Sequence, residues 1–202
     1  MISVEKDGGL WLATIDRPDK ANSLTPDMLE RLCDVAESAR DARALILTGA
    51  GKVFSAGADL DAARAGLATS PLWERLSGAI AALPGLTIAA LNGTAAGGAL
   101  GMVLACDLRI AVPGAKLFYP VMKLGFLPQP SDPVRMAALI GPARAKMILM
   151  AGQKIPVEEA ATWGLIDRIV PPGSLLPEAR ALAGDVMGAD PAHARAIKAM
   201  IA

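Results

Sequence analysis

Leu86-Thr87-Ile88-Ala89-Ala90-Leu91-Asn92-Gly93-Thr94-Ala95-Ala96-Gly97-Gly98-Ala99-Leu100 carries an apolar run into glycine turns and then into a helix of small residues. Six consecutive apolar or small residues ending at Asn92-Gly93 predict a strand covered on both faces, as in a parallel sheet flanked by helices. An earlier stretch has the same plan. Ala44-Leu45-Ile46-Leu47-Thr48 ends at Gly49, and Phe54-Ser55-Ala56-Gly57-Ala58-Asp59-Leu60 again runs through a glycine turn. Both turns leave backbone N–H groups free in a tight bend or at a helix start, where developing negative charge finds donors. Either turn alone is as well explained by small residues that let helices pack on a sheet. Two together suit an oxyanion site, which needs two donors converging on one point.

Working outward, Ile2 to Lys6 and Leu10 to Asp16 predict a hairpin about Asp7-Gly8-Gly9. Thr25 is placed as N-cap and Pro26 at N1 of a helix whose Met28, Leu29, Leu32, Val35 and Ala36 recur at helical spacing. A helix begins near Ser70-Pro71, with Leu72, Leu76, Ile80 and Leu83 on one face. After it, Gly98 to Ala105 predicts a third helix, followed by strands at Leu108 to Val112 and Lys116 to Tyr119. Helix and strand alternate, so parallel pairing through helical crossovers is expected. Beyond Pro133 the chain reads as mainly helical, with a short strand at Ile166 to Val170, a helix stop at Gly164 and a last helix from Pro191 to Ile201.

Composition narrows the function classes. The 202 residues hold twenty basic and twenty acidic side chains in no like-charged block, so neither nucleic acid nor an anionic membrane surface is an expected partner. Cys33 and Cys106 lie far apart, and with one histidine they suggest neither a disulfide framework nor a zinc site. The N-terminus has no signal-peptide pattern, and a cytoplasmic setting is expected. Ser77 to Cys106 is free of charge, but Pro84, Asn92 and six glycines divide it into pieces better read as buried core than as a membrane span. Gly49-Ala50-Gly51-Lys52 is not a phosphate loop, because Ile46 and Val53 stand where that motif needs glycine and a hydroxyl residue. Gly93 to Gly101 does not make a dinucleotide fingerprint. His193, in the last helix, reads as a surface residue.

The residues Asn22-Ser23-Leu24, Phe54 to Leu60, Ala89 to Gly98 and Cys106-Asp107 resemble the crotonase, or enoyl-CoA hydratase/isomerase, superfamily. The likeness continues through Gly125, Pro128, Gly141, Leu149-Met150-Ala151-Gly152, Glu159-Ala160 and Trp163-Gly164-Leu165-Ile166. It implies an α/β fold, a spiral of ββα units over residues 1–135 that binds acyl-CoA, with a helical part over 136–202 involved in oligomerisation. The helical part is shorter than in most relatives, which continue for some tens of residues. The implied assembly is a homotrimer or a dimer of trimers, with Met136, Ala137, Leu139, Met147, Ile148 and Leu149 offering apolar surface. No permanently bound cofactor is implied, coenzyme A entering as part of the substrate.

The same resemblance assigns the N–H groups of Ala58 and Gly98 to the oxyanion hole. It assigns Ala56 to Leu60, Asp59 included, to the adenine pocket, and Lys20 and Ala21 to the phosphates and pantetheine. Gly97, Val121 and Leu124 complete the expected binding residues. One departure matters: the two positions at which the family's hydratases carry glutamates read Gly101 and Val121. Neither side chain can transfer a proton. Asp132 is the nearest remaining acid and the candidate catalytic carboxylate, although Ser131-Asp132-Pro133 reads first as a helix start with Asp132 as N-cap. Tyr119 and Lys123 lie in the right region. Two readings remain open: an enzyme with an unidentified proton carrier, or a non-catalytic acyl-CoA-binding homologue or subunit.

Overall fold

The computed structural model describes residues 1–201. The expected hairpin forms from β1 (Ile2–Asp7) and β2 (Leu10–Ile15), paired antiparallel about Gly8 and Gly9. Thr25 caps α1 (Pro26–Ser38) as expected, its Oγ1 accepting from the Met28 N–H at 3.3 Å. Three strand pairs then follow in chain order. The first is β3 (Ala44–Gly49) with β4 (Val53–Ser55), followed by α2 (Leu60–Arg64) and α3 (Leu72–Ala81). The second is β5 (Leu86–Leu91) with β6 (Thr94–Ala96), followed by α4 (Ala99–Ala105). The third is β7 (Leu108–Ala111) with β8 (Lys116–Phe118), followed by α5 (Val121–Leu124) and α6 (Ser131–Leu149).

The long strands make one sheet in the order β1-β2-β3-β5-β7, and the short ones begin a second in the order β4-β6-β8. Beyond α6 come β9 (Ile155–Pro156), α7 (Val157–Trp163), β10 (Arg168–Ile169), α8 (Leu175–Leu182), α9 (Gly184–Gly188) and α10 (Pro191–Ile201). There β9 extends the second sheet beside β8, and β10 closes the first beside β7. The expected division after residue 135 therefore falls inside α6, and both sheets draw strands from either side of it. Within α6 the helix breaks at Gly141, which has φ 80° and precedes Pro142.

Asparagine side chains hold the chain where it passes from one sheet to the other at the ends of the first two strand pairs. Asn22 is fully buried: its Nδ2 donates to the Ala50 and Val53 carbonyls at 2.8 and 2.6 Å, and its Oδ1 accepts from the Arg17 N–H at 2.8 Å. Asn92 does the same one unit later, its Oδ1 accepting from the Gly49 N–H at 3.0 Å. These amides satisfy backbone groups where the strands end, which a buried turn requires.

The uncharged stretch from Ser77 to Cys106 is spread over α3, β5, β6 and α4, with Ile88, Ala89, Ala90, Leu91, Ala99 and Val103 each wholly buried. No described helix is long and apolar enough to cross a membrane. One expectation about surfaces is corrected. Met136, Ile148 and Leu149 are buried in this chain's own core, so they are not available to a partner, whereas Met147 is 41% exposed. α6 turns Asp132, Met136 and Ile140 inward at helical spacing.

Candidate active site

The two glycine turns meet. Gly57 has φ 87°, and a Cβ added to it would strike the Ala96 carbonyl at 2.8 Å and lie 3.4 Å from the Gly98 nitrogen. Glycine is required there twice over, by backbone conformation and by the close approach of the second turn. The chain reaches this contact because β4 pairs in parallel with β6 and β6 with β8, so the strand ends arrive together. Leu24 locks the first turn from the other side: its N–H donates to the Gly57 carbonyl at 2.8 Å, and its carbonyl accepts from the Asp59 N–H at 2.8 Å. That pattern skips the Ala58 N–H. Among the described residues neither the Ala58 nor the Gly98 N–H has a hydrogen-bond acceptor, while Gly97 N–H donates to the Phe118 carbonyl at 3.0 Å. The helix that follows Gly98 spans only seven residues, so these N–H groups themselves, rather than a long helix dipole, supply the positive end.

Ala58 and Gly98 line one pocket of about 220 Å³. Of the expected residues, Ala56, Leu60, Gly97, Val121 and Leu124 line it too, together with Trp73, Tyr119 and Phe126. Leu60, Leu124 and Leu127 stand largely exposed around it. Five expected or candidate residues do not line it. Lys20 and Ala21 sit beside the first turn, where the Ala21 carbonyl accepts from the Ala56 N–H at 3.0 Å. The Asp59 carboxylate is occupied: Oδ2 pairs with Arg17 at 2.8 Å, and Oδ1 caps α2 by accepting from the Asp61 and Ala62 N–H groups. The Arg17 hydrogen bond, with these backbone bonds, holds the Asp59 carboxyl below the usual carboxylate range. Lys123 is exposed and away from the pocket wall.

Asp132 is the fifth, and its expected capping role is corrected. α6 starts one residue earlier, at Ser131, which turns Asp132 from the cap position onto the helix's buried face. The helix end is held instead by Glu74 of α3, which accepts from the Ser131 N–H at 3.2 Å and from the Ser131 hydroxyl. Asp132 is 0% exposed; its Oδ2 accepts from the Tyr119 hydroxyl at 3.1 Å, and its Oδ1 has no hydrogen-bond partner among the described residues. A carboxylate out of water with one lone oxygen is costly in its charged form. Burial pushes the Asp132 carboxyl up to about 6, against the opposing pull of the Tyr119 hydrogen bond and of Arg135, with Glu74 adding to the rise. Burial, then Asp132, raises the Tyr119 hydroxyl as well.

Two features escaped the sequence. Trp73 lies flat on the second turn, its ring 2.9 Å from where a Cβ on Gly98 would be, and its Nε1 donates to the Leu67 carbonyl at 2.8 Å. The spacing Trp73, Leu76, Ile80 was signal enough, had the apolar face been set one residue later than Leu72. The other is the contact of Asp132 with Gly101: a Cβ on Gly101 would lie 2.9 Å from Oδ1. A larger groove, of about 750 Å³, lies under α10, and two of its charged side chains, Asp107 and Lys198, are paired with one another at 2.6 Å. Among the described residues no cluster of His, Cys, Asp and Glu could hold a metal ion.

The arrangement has known counterparts. A model of the enoyl-CoA hydratase/isomerase family matches residues 5–202. Crotonyl-CoA hydratase of Syntrophomonas wolfei is 35% identical over 92% of this chain and 75% of its own length. The crystal structure of an enoyl-CoA hydratase from Bacillus anthracis superposes with a TM-score of 0.91 at 33% identity, over 99% of this chain and 81% of that one. Pseudomonas aeruginosa DspI superposes at 0.90 with 34% identity, over 99% and 85%. Sequence match, fold and the meeting of the two glycine turns agree: this chain belongs to the enoyl-CoA hydratase/isomerase family of the crotonase superfamily.

Proposed function

We propose that the protein binds an acyl-CoA thioester with its carbonyl oxygen between the Ala58 and Gly98 N–H groups, and that it does not hydrate enoyl-CoA by a two-glutamate mechanism. The observation that carries the first half is the contact of the turns at Gly57 and Gly98, with both N–H groups left without an acceptor among the described residues. Such donors cost nothing to reorganise as charge develops on the oxygen, and losing one typically costs about 3 kcal/mol of transition-state stabilisation. The second half rests on Gly101 and Val121, which offer no proton donor or acceptor at the positions of the family's glutamates.

A pocket of about 220 Å³ is smaller than the ~300–1,000 Å³ of most ligand sites. It suits the thioester and a short acyl chain, while the rest of coenzyme A lies outside across Leu60, Leu124 and Leu127, with Lys20 beside the phosphates. The similar proteins, crotonyl-CoA hydratase among them, fit that substrate class. A titration with butyryl-CoA and with free coenzyme A, on the protein and on Ala58→Pro, tests the reading. Proline removes one N–H that the Leu24 bridge does not use. The expected result is tighter binding of butyryl-CoA than of coenzyme A, with the difference lost in Ala58→Pro; equal affinity for both ligands in the unaltered protein would refute it.

A further inference from the structure

Asp132 is a fully buried carboxylate with one oxygen unpaired, and neither capping nor an ion pair accounts for it. Its surroundings place it at the site. Gly98 and Gly101 lie three residues apart on one helical turn, where side-chain positions are about 5–6 Å apart. The Asp132 carboxylate, whose Oδ1 lies 2.9 Å from where a Gly101 Cβ would stand, is therefore about one turn from Gly98. Its partner Tyr119 lines the pocket and directly follows Phe118, whose carbonyl holds the Gly97 N–H.

We infer that Tyr119 and Asp132 are the proton-transfer pair of this site, the Tyr119 phenol at the pocket wall and the Asp132 carboxylate behind it, in the space left by Gly101. The inference rests on the acyl-CoA reading above. The step it assigns is reversible removal of a proton from the carbon next to the thioester carbonyl. The C–H bond breaks as the Tyr119 oxygen takes that proton and passes its own to Asp132 Oδ2. The C–H electron pair becomes the enolate double bond, and the charge settles on the carbonyl oxygen at Ala58 and Gly98. Return of a proton to the same carbon regenerates the substrate; when the substrate is a 3-enoyl thioester, return of the proton to the γ-carbon of the dienolate moves the double bond to the 2-position. Atoms and charge balance with no further reactant. Tyr119 is then the catalytic residue, and Asp132 positions it and stores the proton.

Asp132 acts only as the carboxylate, so the step is lost as pH falls through about 6. The ionisable groups facing it are Tyr119 after β8, Glu74 from α3 and Arg135 one turn along α6; α4 presents none.

The test is deuterium uptake at the α-carbon of butyryl-CoA in D2O between pH 5 and 8, read by mass spectrometry, with butyryl-CoA binding measured on the same samples. Uptake should rise with pH to a plateau above about 6. Tyr119→Phe and Asp132→Asn, each close in shape to the original, should cut it by about a hundredfold or more while butyryl-CoA still binds. In Asp132→Asn the residual uptake should lose its inflection. The pH profile of the unaltered protein needs no variant, so a misfolded substitution would not leave the question open. Uptake at the original rate in Tyr119→Phe, a flat pH profile, or binding without uptake at any pH overturns the pair and leaves the acyl-CoA reading standing. Absence of binding overturns both.

Discussion

The carboxylate of Asp132 occupies the space that a side chain on Gly101 would take, with Oδ1 at 2.9 Å and Oδ2 at 3.2 Å from the Cβ position. Residue 101 is where the family resemblance expects a glutamate, so one acid from α6 stands where another from α4 is missing. Glycine at 101 and aspartate at 132 are thus two halves of one packing arrangement.

Stability should record this. Restoring a glutamate by Gly101→Glu drives a Cβ and a second carboxylate against Asp132, and should cost about 1–3 kcal/mol or more from overpacking alone. Adding Asp132→Ala should recover part of that loss. Thermal unfolding of the four proteins of this cycle measures the coupling; effects that add to within about 0.5 kcal/mol would mean the two sites are independent.

Asp132 should also leave a signature in the pH dependence of folding. Its carboxyl is raised from an ordinary 3.8 to about 6, so between those values the folded chain binds the proton that the unfolded chain has released. Its contribution to stability is fully present below about 4 and is lost as pH rises through 6. Relative to Asp132→Asn, the protein should lose about 3 kcal/mol between pH 4 and pH 7, two pH units at about 1.4 kcal/mol each. Urea unfolding of both proteins at the two pH values checks it, and a constant difference would show that Asp132 ionises normally.

Trp73 offers an optical report. It lines the pocket and packs on Gly98, whereas Trp11 and Trp163 do not line it. Tryptophan fluorescence should change when butyryl-CoA binds, and Trp73→Phe should lose most of that change. A Gly98→Ala variant, whose added methyl would meet the Trp73 ring at 2.9 Å, should be destabilised by about 1–3 kcal/mol and bind weakly. An unperturbed Gly98→Ala would show that the ring yields readily.

The long strands were legible because six-residue apolar runs such as Ala44–Gly49 and Leu86–Leu91 carry a strong signal. Of the second sheet only β8 was, as the strand expected at Lys116 to Tyr119. β4 and β6 have three residues each, too few to display a period, and the pairing of all three exists only once the larger sheet has brought their ends together. At the site, the glycines marked both turns because backbone approach leaves no room for a side chain. Asp132 was misjudged by a single position: Asp-Pro is a good cap and N1 pair, but Glu74 from another helix, 57 residues away in sequence, took over the capping and released Asp132 to the interior. Local rules cannot see such a partner. Trp73 was passed over for the same kind of reason, since its face is decided by contact with Gly98.

The most direct measurement is a calorimetric titration with crotonyl-CoA in which the enoyl absorbance of the same sample is then followed. The account predicts saturable binding with absorbance loss far slower than a two-glutamate hydratase gives. Rapid hydration would contradict the argument from Gly101 and Val121, and no binding would contradict the assignment of Ala58 and Gly98 to a thioester carbonyl.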